Sequence, residues 1–194
     1  MEAFSDGVIA ILITVMVLEL KTPHGTDWAA LREAAPVLLS YVLSFVYLGI
    51  YWNNHHHMLQ ATERVTGLIL WANLHLLFWL SLVPFTTAWL GENDFAATPA
   101  AAYGIVLLAA ALAYFTLERA IMRDQGDGSL VAAAVGRDLK GKLSPVGYVA
   151  AIALSFVSQW LAMAVYTVIA AAWLVPDRRI ERTIATGRAP EAAG

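Results

Sequence analysis

A few polar side chains stand out in a chain that is otherwise mostly apolar, and their types suit cation coordination or proton transfer. Asp6 directly precedes Gly7–Leu18, a run of twelve residues with no charge and one polar member, Thr14. Histidines occupy positions 55–57, and Asn73 lies inside a later apolar stretch. A carboxylate entering a bilayer is costly unless it is paired. Asp6 therefore needs partners, and these histidines and Asn73 are the candidates.

Asp6 has two readings from its position alone. Ser and Asp near the start of a helix are common caps, and an acid there suits the helix dipole. The other reading pairs Asp6 with His55 or His57 at the end of the second apolar stretch, or with Asn73 in the third. Neighbouring residues on a helix point about 100° apart, so three histidines in a row do not converge on one ion. We therefore predict no metal site.

Composition places the chain among membrane proteins with several spans. The 194 residues are 59% apolar and 14% charged, whereas soluble domains are near 45–50% apolar and about 25% charged. Glu2 and Asp6 precede the first apolar run, which argues against a signal peptide. The chain has no cysteine, no basic run that would suggest nucleic acid, and no recognisable enzymatic motif. We predict a protein of the lipid bilayer that is not an enzyme and has no cofactor.

Apolar stretches separated by polar residues predict the transmembrane spans. They run over residues 4–20, 35–52, 67–90, 100–117 and 145–175, and a polar connector extends from residue 123 to 143. The last stretch has 31 residues, which is long for one helix and short for two. A hairpin that breaks near Ser158–Gln159 would place ten basic residues on the cytoplasmic side and two outside, whereas one helix gives six and six. The positive-inside rule favours the hairpin.

The predicted fold class is therefore an all-α polytopic membrane protein with six transmembrane helices and both termini cytoplasmic. Residues 1–176 form the membrane domain, and residues 177–194 form a polar cytoplasmic tail.

One face of the predicted first helix carries a continuous stripe of mostly apolar residues. Gly7, Ile11, Thr14, Val15 and Leu18 follow the spacing i, i+4, i+7, i+8 and i+11, which forms a stripe along a helix. Such a stripe usually packs against another helix, and a threonine in it can bond back to its own i−4 carbonyl. Spacing alone does not separate a packing face from a pore lining.

Several segments resemble the bacterial branch of the transmembrane protein 175 family of potassium channels. AFSDGVIAI with VLELKTP opens the chain, YWNNHHH lies at 51–57, NLHLLFWLSLVPFTTAWL at 73–90 and WLVPDRR at 173–179. The resemblance implies six helices per repeat, one repeat per bacterial subunit, and a homotetramer in the prokaryotic plasma (inner) membrane. The first helix of each subunit would line a pore on the symmetry axis, with K⁺ as the permeant ion.

Carried over by position, the resemblance assigns roles to the stripe. Ile11 would form the narrowest apolar ring and act as gate and dehydration filter, with Val15 and Leu18 as further rings. Ile11 and Thr14 would set a modest preference for potassium over sodium. Val15 stands where the family often has leucine, so we expect a wider ring there. The residues expected to tie the first helix to the second and third are Phe4, Ser5, Asp6, Trp52, His55, His57 and Asn73.

Two other functions fit the sequence less well. A secondary transporter or proton-coupled carrier would use Asp6 and the histidines as a relay, but no ionisable residue lies mid-membrane in the first, second or fourth predicted span, and His75 is the only one in the third. A structural membrane protein would form an oligomer without ion flux.

Overall fold

The computed structural model describes residues 1–126 and 139–174, except for the side chain of Leu139. All regular elements in these two ranges are α-helices, which agrees with the predicted class. They are α1 (Glu2–Leu18), α2 (Trp28–Glu33), α3 (Ala35–Gln60), α4 (Gly67–Ser81), α5 (Val83–Glu92), α6 (Ala97–Gln125), α7 (Leu139–Ser155) and α8 (Gln159–Leu174).

Three helical segments of the described chain are long and apolar enough to cross a membrane. They are Ala35–Gln60, Gly67–Glu92 and Ala97–Gln125. Helices α1, α7 and α8 have 17, 17 and 16 residues. At 1.5 Å per residue they reach about 25 Å, which is less than the roughly 30 Å of a hydrocarbon core.

Helix α1 begins two residues earlier than the apolar pattern indicated. It starts at Glu2 with Met1 at the N-cap and no side-chain cap. Asp6 therefore lies inside the helix, and the capping interpretation of Asp6 is wrong. Glu2 takes the place in the first turn where an acid interacts favourably with the helix dipole.

Helix α3 continues through the histidines instead of ending at them. It runs to Gln60, eight residues beyond the predicted apolar stretch. Two side chains of this polar segment bond to groups on the same helix. Asn54 Nδ2 donates to the Ile50 carbonyl at 2.9 Å, and Gln60 Nε2 lies 2.9 Å from His56 Nε2.

A slight break divides the third predicted span. Helix α4 ends at Ser81 and α5 starts at Val83, with Pro84 in its first turn. Proline has no N–H for a helical hydrogen bond and disfavours helical backbone in the residue before it. It does fit the first turn of a new helix.

The final apolar stretch forms two helices. Helix α7 ends at Ser155 and α8 begins at Gln159, next to the predicted break, and the two helices pack against each other. The predicted connector is shorter than expected, since α6 continues to Gln125 and α7 starts at Leu139. The predicted tail, residues 177–194, lies outside the described residues.

The buried side chains form two clusters. One joins α1, α3, α4 and α6 around residues such as Ile9, Met16 and Leu76. The other joins α3, α6, α7 and α8 around Tyr47 and Tyr166. Helix α1 thus packs on one side of the subunit, against α3, α4 and α5, while α7 and α8 lie against α6 and α3.

The segment that follows α1 is joined to the end of α5 by an ion pair. Lys21 Nζ donates to a carboxylate oxygen of Glu92, at the end of α5. This hydrogen bond raises the pKa of the Lys21 ammonium. Because the pKa of Lys21 is raised on folding, the pair stabilises the folded state fully below the ordinary lysine pKa of 10.5. This stabilisation is lost as the pH rises through the raised pKa of the folded state.

Candidate functional site

The two faces of α1 differ sharply in burial. Ile9, Leu12 and Met16 are at most 9% exposed and pack into the first cluster. All five residues of the predicted stripe are exposed in the subunit, and Ile11 and Leu18 reach 60% and 81%. An apolar stripe that its own subunit leaves uncovered must face lipid, another protein chain or a pore.

Thr14 lies on the exposed stripe and has its hydroxyl proton engaged. Its Oγ1 donates to the carbonyl of Ile11 at 2.9 Å, an i−3 bond in place of the expected i−4. A hydroxyl that donates in this way keeps its lone pairs available as acceptors. The exposed side of Thr14 can therefore offer oxygen lone pairs to a cation.

A buried chain of hydrogen bonds joins α1, α4 and α3. Asn73 Nδ2 donates to Ser5 Oγ at 2.9 Å, and Asn73 Oδ1 lies 2.7 Å from His55 Nε2. All three side chains are at most 2% exposed. The structure therefore brings together three of the seven residues expected to tie the first helix to its neighbours.

The histidine beside Asp6 is not one of the two that were expected. The Asp6 Oδ2 atom lies 3.6 Å from Nδ1 of His56, whereas the sequence suggested His55 or His57. His55 is turned toward Asn73, and His57 packs edge-on against the ring of His56 with centroids 5.8 Å apart. The 100° step between neighbouring helical residues determines which histidine reaches α1.

Glu2 and His56 are the two members of this site that sequence reasoning missed. The Glu2 Oε1 atom lies 3.2 Å from His56 Nδ1, so the imidazole lies between two carboxylates. The ligand atoms of Glu2, Asp6 and His56 are within 4.8 Å of one another, a set that could hold a metal ion. The i, i+4 spacing of Glu2 and Asp6 was the signal available in the sequence.

Trp52 and Phe4 occupy the margins of the site. The Trp52 ring stacks on His56 with centroids 5.8 Å apart, so Trp52 supports the imidazole that faces the acids. The Phe4 side chain is 60% exposed. These contacts fix the N-terminal half of α1 against α3 and α4 and leave its stripe free.

Comparison with known proteins identifies the family. The family model of the endosomal/lysosomal potassium channel TMEM175 matches residues 1–84. A potassium channel of Chryseobacterium sp. is 51% identical over 95% of this chain and 96% of its own length. A potassium channel of Streptomyces collinus is 37% identical over 87% of each chain.

A solved structure extends the likeness to the fold. The crystal structure of a lysosomal potassium-selective channel TMEM175 homologue from Chamaesiphon minutus matches with a TM-score of 0.77 and 32% identity. The match covers 90% of this chain and 94% of the other.

Animal relatives match over a shorter region and have a different name. The chicken and human proteins are both called endosomal/lysosomal proton channel TMEM175 and are each 36% identical over about a third of this chain. The match covers 16% of each animal protein. With full-length bacterial relatives at up to 51% identity, this chain belongs to the TMEM175 family of membrane channels, and it is a channel protein and not an enzyme.

Proposed function

We propose that this protein is a potassium-selective cation channel that works as a homotetramer in the plasma membrane of a prokaryote. The first helix of each subunit lines the pore. The observation that carries the proposal is the exposed stripe of α1, which the subunit leaves uncovered although the opposite face of the same helix is buried. The names of the bacterial relatives and the potassium-selective homologue support the choice of ion.

A pore requires several copies of α1. One helix cannot enclose a water path, so the stripe becomes a pore only around a symmetry axis. The family resemblance supports four copies. In this arrangement all six long helical segments span the membrane, and both termini lie in the cytoplasm, as the distribution of basic residues favours.

The constriction is assigned to Ile11. Four isoleucine side chains around an axis form an apolar ring that can lose its water and close. A small outward movement or rotation of α1 would let water return. The exposed stripe continues to Val15 and Leu18, which form further rings toward the other end of the helix.

Selectivity follows from partial dehydration. Potassium gives up its water more readily than sodium, so a ring that strips part of the hydration shell favours potassium. Apolar side chains do not replace the lost water as a cage of carbonyls does, and the preference is therefore modest. Thr14, with its lone pairs free, would supply oxygen contacts one turn beyond Ile11.

The reversal potential tests the proposal directly. The purified protein is placed in a planar bilayer with potassium on one side and sodium on the other. We expect discrete openings and a reversal potential shifted toward the potassium equilibrium value. A folded oligomer that gives no current, or a current without cation preference, would contradict the proposal.

Proton permeation is the second candidate, because the animal relatives are called proton channels. It predicts that a pH gradient without a potassium gradient moves the reversal potential. The carrier alternative, with Asp6 and the histidines as a relay, predicts saturable flux coupled to the pH gradient and no unitary openings. The same bilayer, with pH and potassium varied separately, distinguishes the three.

A further inference from the structure

Two helices contribute ligand atoms to one small cluster, which consists of Glu2, Asp6 and His56. Glu2 and Asp6 lie one turn apart on α1, and His56 reaches them from α3. All three side chains are partly exposed, so an ion can reach them from the surrounding water. The sequence argument against a metal site concerned three consecutive histidines, whereas this cluster uses one histidine and two acids from another helix.

The spacing of the ligand atoms fits a tetrahedral zinc ion. Zinc binds imidazole nitrogen and carboxylate oxygen at about 2.0–2.2 Å, so two ligand atoms of a tetrahedron lie about 3.3–3.6 Å apart. His56 Nδ1 lies 3.2 Å from Glu2 Oε1 and 3.6 Å from Asp6 Oδ2. Three protein ligands with water in the fourth position is an established arrangement for zinc.

Two polar atoms of the cluster lack a hydrogen bond. His56 Nδ1 and Asp6 Oδ1 are shielded from water, and neither has a hydrogen-bond partner among the described residues. Glu2 Oε1 lies close to His56 Nδ1 but without the geometry of a hydrogen bond. Buried polar atoms are nearly always satisfied, and an unsatisfied one can mark the place of a water or an ion. A cation bound at the cluster would give both atoms a partner.

The charges of the cluster suit a divalent cation. Glu2 and Asp6 carry like charges at positions i and i+4, which by itself destabilises a helix. A divalent ion with these two carboxylates and a neutral imidazole forms a site without net charge. The imidazole nitrogen favours zinc and related transition metals, whereas magnesium and calcium prefer oxygen ligands.

Neighbouring side chains hold the imidazole in position. The Trp52 ring stacks on His56, and Gln60 Nε2 lies 2.9 Å from His56 Nε2. A half-turn of the Gln60 amide brings its oxygen to this nitrogen, where it can accept the Nε2–H bond. Metal-bound histidines almost always donate their second N–H to an acceptor of this kind, which leaves Nδ1 free for the ion.

We propose that Glu2, Asp6 and His56 bind one divalent cation of the zinc class per subunit. The ion joins the first turns of α1 to α3, beside the buried bond between Ser5 and Asn73. The proposal concerns ion binding alone. It therefore stands or fails independently of the proposed potassium conduction.

Equilibrium dialysis of radioactive zinc against the purified protein, with any affinity tag removed, tests this proposal. We expect saturable binding of one zinc ion per subunit, without displacement by a large excess of magnesium. Zinc should also raise the melting temperature, since it binds the folded state, and magnesium should not. The absence of zinc binding, or equal affinities for zinc and magnesium, would overturn the proposal.

Two variants with matched controls locate the site. We expect His56→Gln and Glu2→Gln each to weaken zinc binding at least about tenfold, since the loss of even an indirect partner of a metal costs that much. His57→Gln, next to His56 on α3, and Glu19→Gln, at the other end of α1, should bind zinc like the unmodified protein. An equal effect of His57→Gln, or unchanged binding in both cluster variants, would place the ion elsewhere and overturn the proposal. The comparison of zinc with magnesium on the unmodified protein decides the question even if a variant fails to fold.

Discussion

Asn73 accepts a hydrogen bond from His55 Nε2 across 2.7 Å, in a site where both side chains are at most 2% exposed. The direction is fixed because the Asn73 amide nitrogen donates to Ser5 Oγ. Its oxygen must then face the imidazole, so Nε2 carries the proton. A single asparagine therefore joins α1 to α3 and sets the tautomer of a buried histidine.

Removal of this bridge should destabilise the fold. Asn73→Ala leaves the Ser5 hydroxyl and the His55 imidazole buried without that partner, at a cost of about 1–3 kcal/mol for each. We expect a clear fall in the melting temperature in detergent. Asn93→Ala, which removes an exposed asparagine bonded to the Trp89 carbonyl, is the control. Equal melting temperatures for the two variants would contradict the role of Asn73.

Ile11→Asn should widen and hydrate the proposed constriction. A polar ring holds water that an isoleucine ring expels, so we expect higher conductance and a weaker preference for potassium over sodium in the bilayer. Val17→Asn is the matched control, since Val17 is also exposed on α1 but lies about 120° around the helix from Ile11. If both variants behave like the unmodified protein, Ile11 is not the constriction.

Thr14→Val tests the hydroxyl while preserving the shape of the side chain. We expect the reversal potential between potassium and sodium to move toward zero, with unitary openings retained, because an oxygen ligand is lost and the apolar rings remain. Thr116→Val is the control, since the Thr116 hydroxyl also bonds back to its own helix but lies on α6. An unchanged reversal potential in Thr14→Val would leave selectivity to the apolar rings.

Leu18→Cys tests whether the exposed stripe faces other copies of itself. The chain has no cysteine, so the variant carries one thiol per subunit. We expect a short bifunctional maleimide to give covalent dimers, because equivalent residues meet around the symmetry axis. Val17→Cys, one residue away and turned from the stripe, should give few. Equal cross-linking of both would place α1 away from the axis. The native mass then gives the number of subunits.

Two glycines offer a matched test of helix packing. A Cβ on Gly91 would lie 2.8 Å from the Val37 Cα, so Gly91→Ala must separate α5 from α3. We expect a loss of about 1–3 kcal/mol of unfolding free energy. A Cβ on Gly49 meets no atom within 4 Å, so Gly49→Ala should be neutral or stabilising by up to about 1 kcal/mol. A lower melting temperature for Gly49→Ala would show that another subunit packs there.

Periodicity and composition predicted much of this structure. Gly7, Ile11, Thr14, Val15 and Leu18 lie together on one face of α1, as their spacing predicted, whereas spacing alone did not predict that the subunit leaves this face exposed. The break before Gln159 followed from the length of the last stretch and the distribution of basic residues. Both inferences use properties of one segment, and such properties can be read without knowing what the segment contacts.

Relationships between segments were harder to predict. The sequence indicated that His55 or His57 would meet Asp6, but which histidine does so depends on the rotation of α3 about its axis. That rotation is set by packing, and here it turns His56 to the acids and His55 to Asn73. Glu2 was missed because the predicted helix began at Phe4, which left Glu2 outside the face that carries Asp6.

The polar contacts of α1 are concentrated near its N-terminus, while apolar packing by Ile9, Leu12 and Met16 continues along the helix. Its first turns are fixed by buried bonds around Ser5, whereas the region beyond Leu18 is held by the exposed pair of Lys21 and Glu92. Ile11 and Leu18 lie six and thirteen residues beyond Ser5, or about 9 and about 20 Å along the axis. A tilt of about 10° around the fixed end would move Ile11 by about 1.6 Å and Leu18 by about 3.4 Å. In the proposed pore, such a tilt of each α1 would displace Leu18 about twice as far as Ile11, so the pore would widen more at Leu18 than at the constriction.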